Sequence, residues 1–458
     1  MKKLVQFITL LIVFGFANGQ GISKKLQDAA QSLKADDQLK SGMLAFYVLD
    51  QKTGTVVINE NGTIGLPVAS SQKVLTSVAS LELLGTAYRY QTSLAYSGII
   101  QNGTLNGNIY IAGSGDPTLG SWRYDETKEQ VVLNKWIKAI KQAGINRING
   151  SVFINHNWGT YSVPGGWIWD DIGNYYGAGA TGTNWRENQY DIKLKSGNSI
   201  GDKVSIVTTI PKLYDVNLTS ELTTGKPGSG DNAYIYLAPY SITGYIRGTI
   251  PPNENAFTIS GSFPDPSKQL INVFYNALRK QGIESNSVNL VAGGQNNIKT
   301  TELVTHASPP LDSINYWFLR KSINLYGEAL AKTVGFEKSK EATTEAGLDI
   351  IKAFWKERGI EPTSVNMKDG SGLSPQNRVT AEALAKVMLY AKSQPYFNSF
   401  NNALPEFNGI KMKSGTIGGV KSFTGYVNGY TFAIVVTNYN GSTNEIVRKM
   451  YRLLNLLK

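Results

Sequence analysis

The chain of 458 residues contains no cysteine and only two histidines, His156 and His306. The absence of cysteine excludes disulfides, thiol nucleophiles, iron–sulfur clusters and cysteine-ligated zinc. Two histidines cannot build a histidine-rich metal site, and they leave only two candidate bases for a Ser-His-Asp arrangement. A hydrolytic reaction on this chain would therefore need a different pair of nucleophile and base.

Long hydrophobic runs are scarce outside the N-terminus. Residues 1–19 begin with two lysines after Met1, continue with an apolar run over 4–16 and end in the small residues Ala17-Asn18-Gly19. This order is typical of a cleaved secretory signal peptide, although an uncleaved anchor has a similar pattern. We find no second stretch of about 18 apolar residues, so no other membrane helix is predicted. The mature chain is expected to be exported and to start near Gln20.

Charged residues are sparse as well, at 17% of the chain, while hydrophobic residues make up 41%. These proportions indicate a globular protein rather than a disordered one. The formal net charge of +11 favours contact with anionic polymers of the cell envelope. It does not indicate nucleic-acid binding, because the basic residues are scattered and the chain is expected to be exported.

The predicted secondary structure changes character twice along the chain. Residues 43–60 predict a β-hairpin, and residues 70–85 predict a buried helix. Short β-type runs punctuated by Gly, Asn and Pro fill residues 96–300, and helical patterns return at residue 303. The later elements predicted are helices over Pro310–Val334, Glu341–Arg358, Thr380–Ser393 and Asn444–Leu457, and a strand hairpin over Phe423–Tyr439 that turns at Asn428-Gly429. The pattern predicts an α/β body formed by both ends of the sequence, with a β-rich insertion between them.

A Ser-x-x-Lys motif at Ser70-Ser71-Gln72-Lys73 supplies an alternative nucleophile and base. Residues i and i+3 lie on one face of a helix, so the Lys73 amine can reach the Ser70 hydroxyl. On an otherwise apolar helix the amine would be desolvated, which lowers the pKa of a lysine and makes it a base near neutral pH. The motif alone is a weak signal, because a lysine in a first helical turn is often simply solvated.

Two further motifs strengthen this interpretation. Ser322-Ile323-Asn324 lies in the predicted helical region, where a second hydroxyl can relay a proton and an amide can hold both Lys73 and a substrate amide. Lys413-Ser414-Gly415-Thr416 lies where two strands are predicted to meet. A cation and hydroxyls there can bind a carboxylate, and a backbone N–H beside Gly415 can complete an oxyanion hole.

Similar short motifs compete with these assignments. Lys-Ser/Thr-Gly also occurs at Lys40, Lys52 and Lys195, and the version at Lys52 is the cleaner match. We assign that version to the turn of the predicted hairpin. Ser313-Ile314-Asn315 competes with Ser322-Ile323-Asn324, and the residues that follow favour the latter.

The three motifs in this order, Ser70-x-x-Lys73, Ser322-x-Asn324 and Lys413-Ser414-Gly415, resemble those of the penicillin-binding, active-site-serine acyl transferases. The wider resemblance is to the class C low-molecular-mass penicillin-binding proteins, the D-alanyl-D-alanine carboxypeptidase/endopeptidase family S13. The stretches that support it span almost the whole chain after the signal segment: Pro67–Lys73, Gly113–Leu119, Trp167–Asp171, Tyr176–Ala178, Asp369–Ser374 and Phe423–Tyr426.

The resemblance implies an α/β transpeptidase-like, β-lactamase-like catalytic domain that is split in sequence by two β-rich inserted domains. The expected boundaries are 20–95 and 301–458 for the catalytic domain, 96–203 and 283–300 for the second domain, and 204–282 for the third. It also implies a periplasmic serine D,D-peptidase that needs no metal or organic cofactor. Such an enzyme removes terminal D-Ala from peptidoglycan stem peptides, or cleaves D-Ala–diamino-acid cross-links, through an acyl-enzyme that β-lactams also form.

By this resemblance Ser70 is the acylated nucleophile, and Lys73 is its general base. Ser322 and Asn324 would pass protons and hold the substrate, and Lys413 would orient its terminal carboxylate. The remaining implied contacts are substrate binding by Ser414, Gly415 and Thr416, an oxyanion hole from the N–H groups of Ser70 and Thr416, and recognition of the diamino-acid side chain by Asp171 and Tyr176. A structural turn carboxylate is the alternative for Asp171.

The chain departs from the family pattern at two positions. Ser414 stands where threonine is usual, and it keeps the hydroxyl. Pro375 stands where relatives often carry an arginine that helps to read a carboxylate of the peptide, which leaves recognition of that group open. Arg378 is near Pro375 in sequence, but it is not a residue-for-residue match.

The other conspicuous residues are interpreted as structural. His156 follows a strand run and His306 precedes two prolines, while Trp167 and Trp169 are assigned to a core rather than to a sugar-binding surface. The C-terminal helix is expected to pack on the sheet, although its lysines and arginines leave peripheral membrane contact open.

Two other functions are compatible with these residues. A serine β-lactamase or esterase on the same scaffold is disfavoured by the large insertion and by Ser322, which stands where class C β-lactamases carry tyrosine. Such an enzyme would turn nitrocefin over quickly. A non-catalytic cell-wall-binding protein would show no covalent labelling, and the presence of all three motifs disfavours it.

Overall fold

The computed structural model describes residues 21–156, 158, 161–285 and 299–458. The predicted signal peptide, residues 1–19, lies outside the described residues. The helices in the described part are α1 (residues 21–34), α2 (Lys73–Leu84), α3 (Glu129–Gln142), α4 (Trp169–Ile172), α5 (Pro266–Lys280), α6 (Leu311–Arg320), α7 (Asn324–Ser339), α8 (Thr344–Glu357), α9 (Ala381–Lys392), α10 (Phe397–Ala403) and α11 (Thr443–Leu454).

The strands of the described residues pair into several sheets. They are β1 (Met43–Asp50), β2 (Val56–Glu60), β3 (Gln91–Tyr96), β4 (Ile99–Gln101), β5 (Thr104–Asn106), β6 (Ile109–Gly113), β7 (Arg147–Ile148), β8 (Val152–His156), β9 (Gln189–Lys195), β10 (Ser205–Ile210), β11 (Asn217–Ser220), β12 (Thr223–Thr224), β13 (Asn232–Tyr236), β14 (Thr243–Ile250), β15 (Phe257–Ser262), β16 (Glu284–Ser285), β17 (Thr301–Ala307), β18 (Val365–Asn366), β19 (Arg378–Val379), β20 (Glu406–Phe407), β21 (Ile410–Ile417), β22 (Val420–Val427) and β23 (Tyr430–Thr437).

The described chain divides into two compact units. The first unit comprises the described residues up to Leu83 together with Asn315–Ser322 and Leu348–Lys458. The second unit comprises Leu84–Ile314 and Ile323–Gly347. Both units are therefore discontinuous in sequence, with the first unit formed by the two ends of the chain.

The first unit is built on a six-stranded antiparallel sheet in the order β2-β1-β23-β22-β21-β20. Apolar side chains of α1 and α11, such as Leu26 and Met450, share one hydrophobic core with Phe46 and Ile434 of the sheet. Helix α9 contacts β1 and β23. Burial of one face of α11 explains the alternation of apolar and basic residues in its sequence.

The predicted hairpins of the first unit are confirmed. β1 pairs with β2 in antiparallel register, as residues 43–60 predict. β22 and β23 meet at Asn428 and Gly429, whose φ angles of 41° and 83° lie in the left-handed region. A two-residue turn of this kind favours Asn-Gly because both central residues need positive φ.

The second unit contains two hydrophobic cores. In the first, α3 and α5 pack on β3, β5, β6, β7 and β8, with Trp136 and Phe274 in edge-to-face contact at 5.4 Å between ring centres. In the second, β9 and β15 pack with β13 and β14 around residues such as Ile192 and Ile235. The strands in both cores are short, as the Gly-rich and Asn-rich sequence of this region indicates, and the first core also contains the two helices.

Two predictions of secondary structure are corrected. The sequence predicts a β-rich insertion with many short strands across residues 96–300, and the structure adds two helices there that the sequence analysis missed, α3 and α5, of 14 and 15 residues. The apolar residues of both helices recur at helical spacing. This spacing is hard to recognise in the sequence because short strand-like runs lie on either side of it. The continuous helical pattern over Pro310–Val334 is wrong, because α6 ends at Arg320 and α7 begins at Asn324, with Ser322 between them at a φ of 57°.

Candidate active site

Ser70 lies in the 3₁₀ turn Ala69–Gln72, and α2 begins immediately afterwards at Lys73. This turn replaces the first α-helical turn predicted from residue 70. It still brings the two side chains together, because Lys73 Nζ donates a hydrogen bond to Ser70 Oγ over 2.9 Å. Lys73 is fully buried, whereas Ser70 is partly exposed. A hydroxyl that a substrate can reach is therefore paired with an amine that is shielded from bulk water.

The backbone beside Ser70 is strained. Ala69 has a φ of 47°, an uncommon value for a residue with a side chain. Gly372 lies against it at a φ of +83°, and a Cβ at Gly372 would collide with the carbonyl oxygen of Ala69. Such strain persists only where surrounding contacts over-determine the conformation, and it clusters at functional sites.

The loop Asp369–Ser374 supports the start of α2. Lys73 Nζ donates to the carbonyl oxygen of Ser371 over 2.6 Å, and Thr76 Oγ1 donates to that of Gly370 over 2.7 Å. The Ser371 carbonyl thus holds the amine while the contact with the nucleophilic hydroxyl remains in place. Sequence reasoning assigned no role to this carbonyl, because no spacing rule links groups that are 298 residues apart.

Asp369 holds this loop together from within. It is fully buried, and its Oδ1 accepts from the Gly372 N–H over 2.7 Å and from Asn377 Nδ2 over 3.0 Å. Its Oδ2 accepts from the Ser374 N–H over 2.6 Å. Gln72 Nε2 donates to the Asp369 carbonyl over 2.7 Å, which ties the loop to the turn that carries the nucleophile.

We expect Asp369→Ala to lower the free energy of unfolding by at least about 3 kcal/mol, because it leaves several buried donors without an acceptor. Urea denaturation followed by circular dichroism measures this loss. The control Asp349→Ala removes a largely exposed carboxylate that is paired with Lys352, and it should cost less than about 1 kcal/mol. Equal losses in the two variants would contradict the structural role of Asp369.

β21 carries the third motif and lies against the Ser70 turn. Ser422 Oγ of β22 lies 2.6 Å from the Val68 carbonyl oxygen and 2.8 Å from Ser71 Oγ. Gly415 permits the close approach of β21, because a Cβ there would collide with the carbonyl oxygen of Val68. The glycine of the motif therefore brings the strand backbone against the turn that holds the nucleophile.

Lys413 is only 1% exposed, and its Nζ donates to the Ser414 carbonyl over 2.7 Å. Burial, followed by repulsion from Lys73 and Lys421, holds the pKa of Lys413 well below its usual range. Ser414 is half-buried, and the exposed Thr416 accepts a hydrogen bond from Lys421 Nζ over 2.8 Å. An incoming carboxylate would stabilise the charged form of these amines. Sequence reasoning missed Lys421, which pairs with Thr416 only through the strand register.

α6 packs on α2 near the buried amine. The ring centre of Phe318 lies 5.9 Å from Lys73 Nζ, and Asn315 Oδ1 accepts from Ser77 Oγ over 2.6 Å. Asn315 belongs to the competing Ser-x-Asn motif, and its contact is one of helix packing. Ser322 follows the end of α6 by two residues and is half-buried.

Three predicted site residues, Asn324, Tyr176 and Asp171, lie near one another in the second unit. Asn324, 7% exposed, begins α7, and its Nδ2 donates to the Tyr176 carbonyl over 2.8 Å. Asp171 and Tyr176 lie close enough to influence each other's charge. Burial, followed by repulsion from Asp170, raises the pKa of Asp171 to about 6. Burial also raises the pKa of Tyr176.

The structure also tests the interpretations of the Lys52-Thr53 motif and of the tryptophans Trp167 and Trp169. The Lys52-Thr53 decoy is confirmed as a turn, since Asp50 Oδ1 accepts from the N–H groups of Lys52 over 2.9 Å and of Thr53 over 2.8 Å. Trp167 is buried as predicted, but the core assignment of Trp169 is wrong. Trp169 is 44% exposed because it starts a one-turn helix at the surface.

Two further positions of interest have structural contacts. His306 is buried on β17, and burial lowers its pKa to about 4. The Pro375 carbonyl accepts from Arg378 Nη1 over 2.7 Å, so this arginine is bound to its own loop. Among the described residues, no group of His, Asp and Glu could hold a metal ion. In the same part of the chain, no helix combines the length and apolar character needed to cross a membrane.

Comparison with known structures establishes the fold. Penicillin-binding protein 4 (dacB) from Haemophilus influenzae superposes with a TM-score of 0.78 at 21% identity, covering 94% of this chain and 98% of that protein. The same protein complexed with a novel β-lactam superposes with a TM-score of 0.75 and covers 94% and 99% of the two chains. The expected α/β fold of a penicillin-binding protein, split in sequence, is confirmed.

Sequence comparison points to the same class of protein. The D-alanyl-D-alanine carboxypeptidase DacB of Haemophilus influenzae is 26% identical over 402 residues, which cover 85% of this chain and 79% of the relative. A D-alanyl-D-alanine carboxypeptidase of Actinomadura sp. (strain R39) is 23% identical over 449 residues, which cover 91% and 82%. The model of the D-Ala-D-Ala carboxypeptidase 3 (S13) family matches residues 26–406. The chain therefore belongs to the D-Ala-D-Ala carboxypeptidase 3 (S13) family of serine-type peptidases.

Proposed function

We propose that this protein is a serine D,D-peptidase that acts on peptidoglycan stem peptides through an acyl-enzyme on Ser70. The observation that carries the proposal is the 2.9 Å hydrogen bond between Ser70 Oγ and the fully buried Lys73 Nζ. A buried amine favours its neutral form, which can accept the proton of the serine hydroxyl. The Ser371 carbonyl keeps the amine in place.

The reaction runs in two halves. Ser70 Oγ bonds to the carbonyl carbon of the penultimate D-Ala while its proton passes to Lys73, and the oxyanion is held by the N–H groups of Ser70 and Thr416. The C–N bond then breaks, and the terminal D-Ala leaves as an amine after it takes up a proton. Water hydrolyses the ester in the second half, which releases the shortened peptide and restores the Ser70 hydroxyl.

The third motif is proposed to bind the carboxylate of the terminal D-Ala. Lys413 supplies a cation whose charge is costly in the empty site, and Ser414 and Thr416 supply hydroxyls on the same strand. A carboxylate that binds there gains a charge-assisted contact and offsets the repulsion between neighbouring amines. This arrangement favours substrates that end in a free carboxylate.

The second motif is proposed to serve proton transfer and substrate alignment. Ser322 would relay the proton to the leaving amine, and Asn324 would hold a peptide amide. Asp171 and Tyr176 would read the amino group of a diamino-acid side chain, because a carboxylate and a phenol together complement an ammonium group. The same chemistry applied to a D-Ala–diamino-acid cross-link would give endopeptidase activity.

The cellular setting follows as part of the proposal. A cleaved signal at residues 1–19 would place the mature enzyme in the periplasm, where its substrate lies. The three-part division into residues 20–95 with 301–458, 96–203 with 283–300, and 204–282 likewise stays a prediction. The separate hydrophobic cores around α3 and around β9 support two insertions rather than one.

We expect the purified protein to release D-Ala from a peptide that ends in D-Ala-D-Ala and to turn nitrocefin over only slowly. A coupled D-amino-acid oxidase assay measures the first, and absorbance of opened nitrocefin measures the second. A peptide that ends in L-Ala-D-Ala is the matched control substrate, because its cleavage would also release D-Ala. Fast nitrocefin turnover without D-Ala release would identify a β-lactamase instead, and the absence of both activities would leave a non-catalytic wall-binding protein.

A further inference from the structure

Three consecutive residues of the second unit, Arg186, Glu187 and Asn188, adopt left-handed backbone with φ angles of 55°, 54° and 52°. None of them is glycine, and side chains make this conformation unfavourable. A run of three such residues persists only if the surrounding contacts over-determine it. The side chains of Glu187 and Asn188 make those contacts, and they reach two different segments.

Glu187 is 3% exposed and accepts four hydrogen bonds. Its Oε1 accepts from Ser121 Oγ over 2.7 Å, from Arg123 Nε over 2.7 Å and from the Tyr326 hydroxyl over 2.9 Å. Its Oε2 accepts from Arg123 Nη2 over 3.1 Å. The buried carboxylate is thus neutralised by one arginine and is bonded to a tyrosine in the first turn of α7.

Asn188 binds the segment that follows Tyr176. Its Nδ2 donates to the Gly179 carbonyl over 2.9 Å and to Asn184 Oδ1 over 2.8 Å. Its Oδ1 accepts from the Trp185 N–H over 2.9 Å, which closes the turn on itself. This strained turn is therefore hydrogen-bonded both to the first turn of α7, through Tyr326, and to the 176–179 segment, through Gly179.

These are the two segments that the Asn324 side chain joins. Asn324 stands two residues before Tyr326 at the start of α7, and its Nδ2 donates to the Tyr176 carbonyl over 2.8 Å. A rotation or slide of the first turn of α7 would lengthen this contact and redirect the amide oxygen. The left-handed turn resists that movement from both sides, through Glu187 on Tyr326 and through Asn188 on Gly179.

We propose that Glu187 is a positioning residue that acts through Tyr326 to hold the Asn324 amide in the geometry that substrate binding requires. The proposal rests on the proposed function, in which Asn324 aligns the peptide. A merely structural Glu187 would stabilise the fold without any preference for the amide of Asn324. Displacement of a substrate-aligning group by about 1 Å can lower the rate by up to about 100-fold.

The matched pair of variants is Tyr326→Phe and Tyr90→Phe. Both hydroxyls are fully buried and both are bonded to a group that fixes α7, since the Tyr90 hydroxyl lies 2.9 Å from Thr333 Oγ1 on the same helix. We expect Tyr326→Phe to lower the second-order rate of acylation by benzylpenicillin, and kcat/KM for the D-Ala-D-Ala peptide, by about tenfold. Tyr90→Phe removes a hydroxyl that contacts α7 farther along the helix, at Thr333. We expect this variant to keep the acylation rate and kcat/KM within about twofold of the wild type, and to lose about as much thermal stability as Tyr326→Phe.

A double-mutant cycle tests whether Tyr326 acts through the amide. In an Asn324→Ala background, Tyr326→Phe should cause no further loss of acylation rate, because the group that it positions is absent. Glu187→Gln keeps the shape of the side chain and one acceptor oxygen. It should also lower the acylation rate, and it should likewise cause no further loss in the Asn324→Ala background. This second variant keeps the test informative if Tyr326→Phe folds poorly.

Two results would overturn the proposal: equal losses of acylation in Tyr326→Phe and Tyr90→Phe, or a full additive loss in the Asn324→Ala background. Both results presuppose that benzylpenicillin acylates the wild-type protein, whose rate is the reference. A wild-type protein that benzylpenicillin does not acylate would instead overturn the proposed function, and the positioning role with it. The two failures are therefore distinguished by the wild-type measurement alone.

Discussion

Ser70→Ala is expected to abolish covalent labelling by benzylpenicillin and release of D-Ala, with a loss of turnover of about 10⁴-fold or more. Ser70 Oγ is the hydroxyl hydrogen-bonded to the buried Lys73 Nζ at the start of α2. Alanine removes the hydroxyl that is bonded to this amine, and it changes side-chain volume little. Intact-protein mass spectrometry should show one drug adduct on the wild type and none on the variant.

Ser77→Ala is the matched control for this experiment. Ser77 lies on the same helix, and its buried hydroxyl donates to Asn315 Oδ1 over 2.6 Å. The variant loses a packing contact but keeps the nucleophile, so it should still gain one adduct. A stable adduct on Ser70→Ala would contradict the assignment of the nucleophile, and peptide mapping of that adduct would identify the residue that carries it.

Lys73→Met is expected to lower the rate of acylation by about 10³-fold while the fold is retained. Methionine has a similar length and is apolar, so it suits a fully buried position that packs near Phe318. The variant keeps the Ser70 hydroxyl but has no group to take its proton. Stopped-flow measurement of acylation by a chromogenic β-lactam gives the rate, and circular dichroism checks the fold.

Lys332→Met separates loss of a base from loss of a buried charge. Lys332 is 4% exposed, its Nζ donates to the Ala180 carbonyl over 2.7 Å, and burial lowers its pKa. It is thus another buried lysine bonded to a carbonyl, and the hydrogen-bond partners of its amine, the Ala180 carbonyl and Ser162 Oγ, both belong to the second unit. Its replacement should leave the acylation rate of the folded protein within about threefold of the wild type. Comparable losses of rate in the two methionine variants would contradict the role of Lys73 as the base.

The two predictions concern one unit of chemistry, so their effects should not add. Once the hydroxyl is absent, removal of the amine has little left to change. The double variant Ser70→Ala/Lys73→Met is therefore expected to match Ser70→Ala alone. Residual activity of both would come from the third-motif strand, where Gly415 brings the backbone N–H groups against the turn.

Much of the chemistry could be predicted from sequence because it depends on local spacing. Because the chain has no cysteine and only two histidines, a serine with a lysine was the favoured pair of nucleophile and base. A spacing of three residues then placed both groups on one side of a helical turn, and the 2.9 Å contact has this origin. Turn preferences were equally local, as Asn428-Gly429 between β22 and β23 illustrates.

Errors arose where two local signals overlapped. Helix α3 has apolar residues at helical spacing, but it was not predicted, because the strand-like runs around it led to a β-rich prediction for residues 96–300. The region around Ser322 has helical composition on both sides, and only its left-handed backbone separates α6 from α7. Trp169 has the composition of a core residue, but a one-turn helix at the surface cannot bury it.

By itself, the sequence determined which groups carry the chemistry, because residue type and short spacing are properties of the chain. Only the tertiary structure decided what holds those groups in place. The Ser371 carbonyl on Lys73 and the Glu187 carboxylate on Tyr326 join residues that are far apart in the sequence. Such contacts depend on how distant segments fold against one another, and no local pattern contains that information.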